Sequence, residues 1–289
     1  MLTSVTPRFG TVVGNTDVTF TGNGLSSVIN DYSIILDGIN CVVIAATSTS
    51  VTCTTGSRPG LVLSSQVITI ANQGTVSNND FTFTYVSVWS SETTWGGEFE
   101  PMDGETVYIP EGFNLLVDVD NSPKLNAVVV EGRIIFASHD DPLHQRTFDA
   151  RYIFVNGGAM EVGTEDFPYT SKITITMHGN VYDPYLPIYG NKVIGVRYGT
   201  LDMHGVPRSP SWTVMETTSQ VGATTITLRD AVDWQVGEQI GIAPTDYEAR
   251  HAEKRYIVAI DRTNPAKPIL TLDKALTYKR FAETQTFGG

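Results

Sequence analysis

Carboxylates, imidazoles and one pair of thiols are the side chains here that could do chemistry. Asp118 and Asp120 stand two apart in LLVDVD, so on an extended strand they share a face. Glu161, Glu165 and Asp166 crowd the stretch after Gly158, and Asp202 sits in LDMHG beside His204. Cleavage of a glycosidic bond needs two carboxyl groups held roughly 5 to 10 Å apart. Asp118, Asp202 and His204 are therefore the first catalytic candidates. A chain with 31 acidic residues also brings such pairs together by chance, and carboxylates that cap turns are the commoner outcome.

His178 and His204 each precede a glycine, in MHGN and MHGV, and could occupy equivalent corners of successive passes of the chain. With Asp202 close, such a pair could bind a metal ion or shuttle a proton. No HxH or HExxH spacing accompanies them, and a corner histidine bonded to neighbouring backbone fits the pattern better. His139 and His144 fall in a polar, proline-interrupted stretch and are expected to be exposed. No phosphate-cradling glycine loop, serine nucleophile elbow or CxxC occurs, so nucleotide and thiol chemistry are not expected, nor is a bound cofactor. Trp89 and Trp95 could stack on a sugar ring, but they lie where a domain junction must be packed, and Trp234 reads as a core plug.

Cys41 and Cys53 lie in the two halves of NCVVIAATSTSVTC, a strand, turn, strand pattern. Adjacent antiparallel strands could bring the sulfurs within bridging distance in an oxidising compartment. Two buried free thiols satisfy the same spacing.

The formal charge is −12, and the 19 basic residues are scattered rather than gathered in a stripe. That excludes a nucleic acid as expected partner and disfavours contact with anionic lipid, whereas Ca²⁺ or a neutral partner would suit such a surface. No stretch of about 18 apolar residues is present, and MLTSVTPRFG lacks the regions of a signal peptide. If the protein is extracellular, the sequence is expected to be a piece of a longer chain. A β-type segment starting at Leu2 and an ending at Phe287-Gly288-Gly289 point the same way.

The elements that must position these residues are strands. Up to residue 86, β-branched runs alternate with Gly, Asn, Asp and Ser clusters: Thr11-Val12-Val13, Val18-Thr19-Phe20, Ile34-Ile35-Leu36, residues 41–44, 51–53, 67–70 and 81–85. Short strands at this spacing predict a β-sandwich. In the last of them Phe81, Phe83 and Tyr85 should face inward and Thr82 and Thr84 outward. VSVWSSETTW, residues 86–95, reads as a polar hinge at a domain boundary.

Beyond it an apolar strand repeatedly runs into a glycine, at Gly112, Gly132, Gly158, Gly179 and Gly199. The near-constant interval of about twenty residues predicts a β-solenoid, one coil per interval, with each glycine taking a positive φ. SHDDPLHQRTFDA and DPYLPIYGNK read as loops thrown out of the stack. After Gly205, residues 225–228, 239–243, 256–260 and 269–272 read as antiparallel strands, with one helical turn at Thr245-Asp246-Tyr247-Glu248.

Several motifs add a resemblance. Pro7-x-x-Gly10, Val18-Thr19-Phe20-Thr21-Gly22 and the Cys41/Cys53 pair resemble an IPT/TIG domain, an immunoglobulin-like module, and this likeness implies that the two cysteines form a disulfide. Trp95-Gly96-Gly97, Pro101-x-x-Gly104, Val107-x-Ile109-Pro110-x-Gly112, Leu116-x-Asp118, Glu131-Gly132, Gly157-Gly158, Val162-Gly163-Thr164-Glu165 and Leu201-Asp202-Met203-His204-Gly205 resemble a G8 domain. DAVDWQVGEQIGIA is similar to the stretch after G8 in such proteins. IPT directly before G8 is the arrangement of fibrocystin-like proteins.

The expected fold is all-β: an immunoglobulin-like β-sandwich at residues 2–86, a right-handed β-solenoid (β-helix) at 87–210 and a β-rich continuation with antiparallel strands at 211–289. The resemblance implies a non-catalytic structural or interaction segment of an extracellular or ciliary surface protein, whose partners are neighbouring domains, other surface proteins or a glycan. Because G8 domains also occur in hyaluronan-degrading proteins, the alternative is a glycan-binding or hyaluronan-degrading module.

Overall fold

The computed structural model describes residues 1–60, 65–77 and 81–284. Phe287, Gly288 and Gly289 lie outside them. The protein is all-β, with helix among the described residues confined to short 3-10 turns. It forms two compact units, residues 1–205 and 206–289.

The first unit begins with β1 (Leu2–Thr6), β2 (Phe9–Thr11), β3 (Asp17–Gly22), β4 (Tyr32–Leu36), β5 (Ile39–Ala46), β6 (Ser50–Thr55), β7 (Gln66–Ile70), β8 (Gly74–Thr75) and β9 (Thr84–Val88). Seven of these form an antiparallel sheet in the order β1-β3-β6-β5-β4-β7-β8. Alternate residues turn inward as the period of two demands, and Val18, Phe20, Ile34, Leu36, Val51 and Ile68 form a fully buried core. β5 and β6 pair with Cys41 opposite Thr55 and Val43 opposite Cys53. The cysteines therefore share a face on a diagonal, and they are joined in a disulfide with Cα atoms 5.5 Å apart. The pairing implied by the IPT/TIG resemblance is present.

The stretch at 81–85 departs from expectation. Phe83 and Tyr85 are buried, but Thr84 is buried too, at 4% exposure, so the inward and outward alternation fails. β9 is paired in parallel with β2 on one edge and with a strand of the following domain on the other, and Val86, on the same face as Thr84, is 1% exposed. Its two faces both meet protein, and a strand covered on both faces loses its polar side. Residues 86–95 are likewise not a free polar linker. Trp89 is completely buried in the next core, and Trp95 packs against it edge to face at 5.1 Å, donating from Nε1 to the Trp89 carbonyl at 2.7 Å.

There follow β10 (Thr106–Ile109), β11 (Asn114–Val117), β12 (Asn121–Val130), β13 (Arg133–Phe136), β14 (Gln145–Asn156), β15 (Ala159–Val162), β16 (Lys172–Met177), β17 (Val193–Arg197) and β18 (Thr200–Met203). They lie in two parallel sheets, one ordered β10-β12-β14-β16 with β17 also on β14, the other β18-β15-β13-β11-β9-β2. From β10 to β15 the chain passes alternately from one sheet to the other, so each pass stacks on the last. Equivalent residues fall in columns, Ile109, Val130, Val155 and Val196 in one sheet and Leu115, Ile134, Met160 and Leu201 in the other. The inner columns make one apolar core.

The glycine interval needs correcting. The corner column before Asn114, Arg133, Ala159 and Thr200 is Phe113, Gly132, Gly158 and Gly199. Gly179 is not in it: the last pass runs from Gly158 to Gly199, with β16 and β17 both on β14 and residues 178–192 thrown out between them. Positive φ is not the common reason for glycine either. Gly112 and Gly179 adopt it, but Gly132, Gly158 and Gly199 do not. A Cβ on Gly132 would lie 2.2 Å from the Pro110 oxygen, and one on Gly158 would lie 2.2 Å from the Gly132 oxygen. Glycine is needed there because backbone approaches backbone between passes.

The second unit contains β19 (Thr225–Thr227), β20 (Gln239–Ile242), β21 (Glu253–Asp261) and β22 (Ile269–Leu272), an antiparallel sheet in the order β19-β22-β21-β20. These are the four strands expected from the apolar runs. The helical turn sits a few residues later than expected, at Ala249–His251, where the Glu248 carboxylate accepts from the Arg250 N–H. Trp234 is half-buried on this unit's apolar cluster and donates from Nε1 to Pro210 O at 2.8 Å.

Candidate functional site

The most heavily built constellation in the first unit is the seam between the sandwich and the parallel sheets. Glu161, on β15, is 3% exposed; it accepts from Arg8 Nη1 at 2.7 Å and from Arg133 Nη2. Arg8 lies in the turn between β1 and β2, and its guanidinium also stands 4.6 Å from the ring centre of Phe167 and 4.8 Å from that of Phe9. Burial lowers the Arg8 pKa below its ordinary value while the Glu161 charge opposes the shift. Phe167, from the loop after β15, meets Phe81 edge to face at 6.2 Å and so joins the sandwich core. Asn114 adds a bond from Nδ2 to the Tyr85 carbonyl at 3.2 Å. A carboxylate shared by two guanidinium groups fixes geometry, because each bond constrains the other. Of these residues the sequence singled out only Glu161, and Phe81 and Tyr85 as inward-facing aromatics; charges 153 positions apart carry no local signal.

The catalytic candidates are placed separately. Asp118 and Asp120 are not on a strand, since β11 ends at Val117 and β12 starts at Asn121. In that corner they do different things. Asp118 accepts from Ser90 N–H at 3.0 Å and from Ser90 Oγ at 2.6 Å, whereas Asp120 pairs with His144 Nε2 at 2.8 Å. The His144 bond holds the Asp120 carboxyl below its ordinary pKa, with desolvation opposing the shift. Asp202 Oδ1 lies 2.7 Å from His204 Nε2 as an ion pair. Val117 and Met203, beside Asp118 and Asp202, are three passes apart in one column. At the usual strand spacing that is about 14 Å, too far for the two carboxyl groups to act as a hydrolytic pair. Glu165 and Asp166 are exposed in the loop that carries Phe167.

His178 and His204 do not occupy equivalent corners. His178 follows β16 in one sheet and bonds Asp149 through Nε2 at 2.5 Å; His204 follows β18 in the other. Both give their backbone N–H to the preceding pass, His178 to Ala150 O at 2.8 Å and His204 to Val162 O at 3.0 Å. His139 and His144 stack at 4.0 Å, and His139 Nδ1 accepts from the Asp141 N–H. Among the described residues no group of three or more His, Cys, Asp or Glu side chains is arranged to hold a metal ion.

In the second unit Arg280 is fully buried and binds Glu253, while Arg255 takes the other carboxylate oxygen. Desolvation opposes charging Glu253, but the Thr277 N–H, Arg280 and Arg255 outweigh it and bring the pKa down to about 2. The same unit holds a cleft of about 1100 Å³.

Residues 1–85 match the IPT/TIG domain family and residues 94–216 the G8 domain family. Fibrocystin-L of Mus musculus is 31% identical over 289 residues, covering 99% of this chain and 7% of its own length. Fibrocystin of Canis lupus familiaris is 28% identical over 221 residues, covering 76% of this chain and 5% of its own. Among solved structures, the plexin A4 extracellular region matches 30% of this chain and 8% of its own, at 22% identity and a TM-score of 0.25. The chain thus spans less than a tenth of the length of the curated relatives named here. It carries an IPT/TIG domain followed by a G8 domain, and it is similar to a segment of fibrocystin-L and of fibrocystin.

Proposed function

We propose that this chain is a rigid, non-catalytic spacer and interaction segment within a much longer extracellular or ciliary surface protein, joined to neighbouring domains. In this reading it divides at residues 2–86, 87–210 and 211–289, and the parallel passes wind as a right-handed β-solenoid. The observation that carries it is β2 pairing in parallel with β9, and β9 with β11, so that one six-stranded sheet belongs to both domains. A hinge between them would have to break that sheet and expose Trp89 and Glu161. The disulfide favours an oxidising compartment. No helix among the described residues is long and apolar enough to cross a membrane.

Two measurements test the reading. Spin labels at Val42 and Lys124, one in each domain, should give a single narrow distance distribution; a broad one would refute the rigid spacer. Long hyaluronan incubated with the protein should keep its size. Depolymerisation that is lost in Asp118→Asn or Asp202→Asn would replace this reading with an enzymatic one.

A further inference from the structure

Among the described residues the sheet of the second unit is open at both ends of its order. β19 and β20 stand at opposite ends of its order, yet Ile226 and Leu228 at β19 and Ile240 and Ile242 on β20 line the same cleft. The sheet therefore curls until its two ends face each other, bridged at one end of the cleft by Arg280, which pairs with Ser219 and donates from Nη1 to Ala243 O at 3.2 Å, and elsewhere unpaired among the described residues.

Both walls present backbone. Residues 214–216 extend the β19 side, with Arg229 N–H donating to Val214 O at 3.0 Å, Glu216 N–H donating to Thr227 O at 2.8 Å, and Met215 opposite Leu228. Backbone groups in an antiparallel pair point alternately toward and away from the partner. The N–H and C=O of Met215 consequently point away from β19, on the side of the cleft that Met215 lines. On the other wall, Tyr256 stands opposite Gln239 but gives its N–H to the Asp273 carboxylate at 2.8 Å and accepts the Asp273 N–H at 2.9 Å. Gln239 and Tyr256 are thus a non-hydrogen-bonded pair, and two residues on so are Gly241 and Lys254. The N–H and C=O of Gly241 point out of the edge strand, and on the face of the strand a Cβ at Gly241 would meet no atom within 4 Å. Between the walls the floor is apolar: Met215, Trp234 and Ile240 belong to this unit's core cluster and line the cleft.

We propose that this cleft receives one extended polypeptide strand, hydrogen-bonded to Gly241 on one wall and Met215 on the other, with alternate apolar side chains closing the core. An oligosaccharide would use Trp212, 72% exposed at the rim, and would leave both strand edges unpaired. The strand comes from polypeptide outside this segment in the same longer protein. That source rests on the reading of the chain as one segment, since it spans 7% of its mouse fibrocystin-L relative.

The test uses the full chain and a synthetic peptide of about ten residues alternating valine and threonine, with lysines at both ends to complement the −12 charge. Binding should alter tryptophan fluorescence and slow hydrogen exchange at the Gly241 and Met215 amides by about tenfold or more. A proline in the middle of the peptide, or Gly241→Pro, should weaken binding by about tenfold, whereas Gly241→Ala keeps the N–H and should bind as the parent does. Unchanged exchange at both amides in the parent protein overturns the proposal. So does a fluorescence response to maltohexaose with none to the peptide. Neither outcome bears on the spin-label distances within residues 1–205, so failure here and failure of the spacer reading are distinguishable.

Discussion

Arg8 donates to Glu161 across 2.7 Å, joining the first turn of the sandwich to a strand of the parallel stack 153 residues later. Because Glu161 also accepts from Arg133, removing it leaves two guanidinium groups without their counter-charge. Glu161→Ala is expected to destabilise the first unit by about 3 to 5 kcal/mol. Arg8→Ala leaves Glu161 paired with Arg133 and should cost less. Urea unfolding midpoints check the order.

The corner glycines make a steric prediction. Gly158→Ala sets a Cβ 2.2 Å from the Gly132 oxygen, and that oxygen is held by the Ala159 N–H at 2.8 Å, so it cannot easily yield. A loss of about 3 kcal/mol or more is expected. Gly157→Ala meets no atom but keeps φ at +83°, so it should lose only about 1 to 2 kcal/mol. Thermal melts that reversed this ranking would contradict the stacked-corner account.

Glu253 makes the second unit sensitive to acid. Its folded pKa, about 2, lies below the ordinary value of 4.5, so its contribution is complete above pH 4.5 and fades as pH falls from there through 2. The contribution is about 3 kcal/mol at neutral pH. Glu253→Gln should lower stability at pH 7 and flatten the fall between pH 4.5 and 2, as followed by denaturant unfolding across that range.

The Cys41–Cys53 bridge closes a short loop in the sandwich. Loop-closure entropy puts its contribution at about 3 kcal/mol. Cys41→Ser with Cys53→Ser should lower the unfolding midpoint of the first unit by a corresponding amount, and reductant should then have no further effect on it.

Asp118 predicts a structural, not a chemical, phenotype. Asp118→Ala removes both bonds from Ser90 and should cost about 1 to 2 kcal/mol. Chemical denaturation measures this.

The sequence alone determined what depends on neighbours along the chain. Alternation placed Phe83 and Tyr85 inward, apolar runs placed the four strands of the second unit, and the IPT/TIG and G8 motifs identified both domains. What only the tertiary structure decided depends on which strands stack. Gly179 has the same local setting as Gly158, but residues 178–192 leave the stack, and spacing cannot tell an insertion from a pass. Thr84 looks outward-facing until packing covers both faces of β9 and buries it beside Val86. The Glu161 pairings and the cleft between Met215 and Gly241 arise between residues far apart in sequence. Local pattern encodes backbone conformation and which face is apolar; stacking register and long-range charge pairing become definite only when the passes pack.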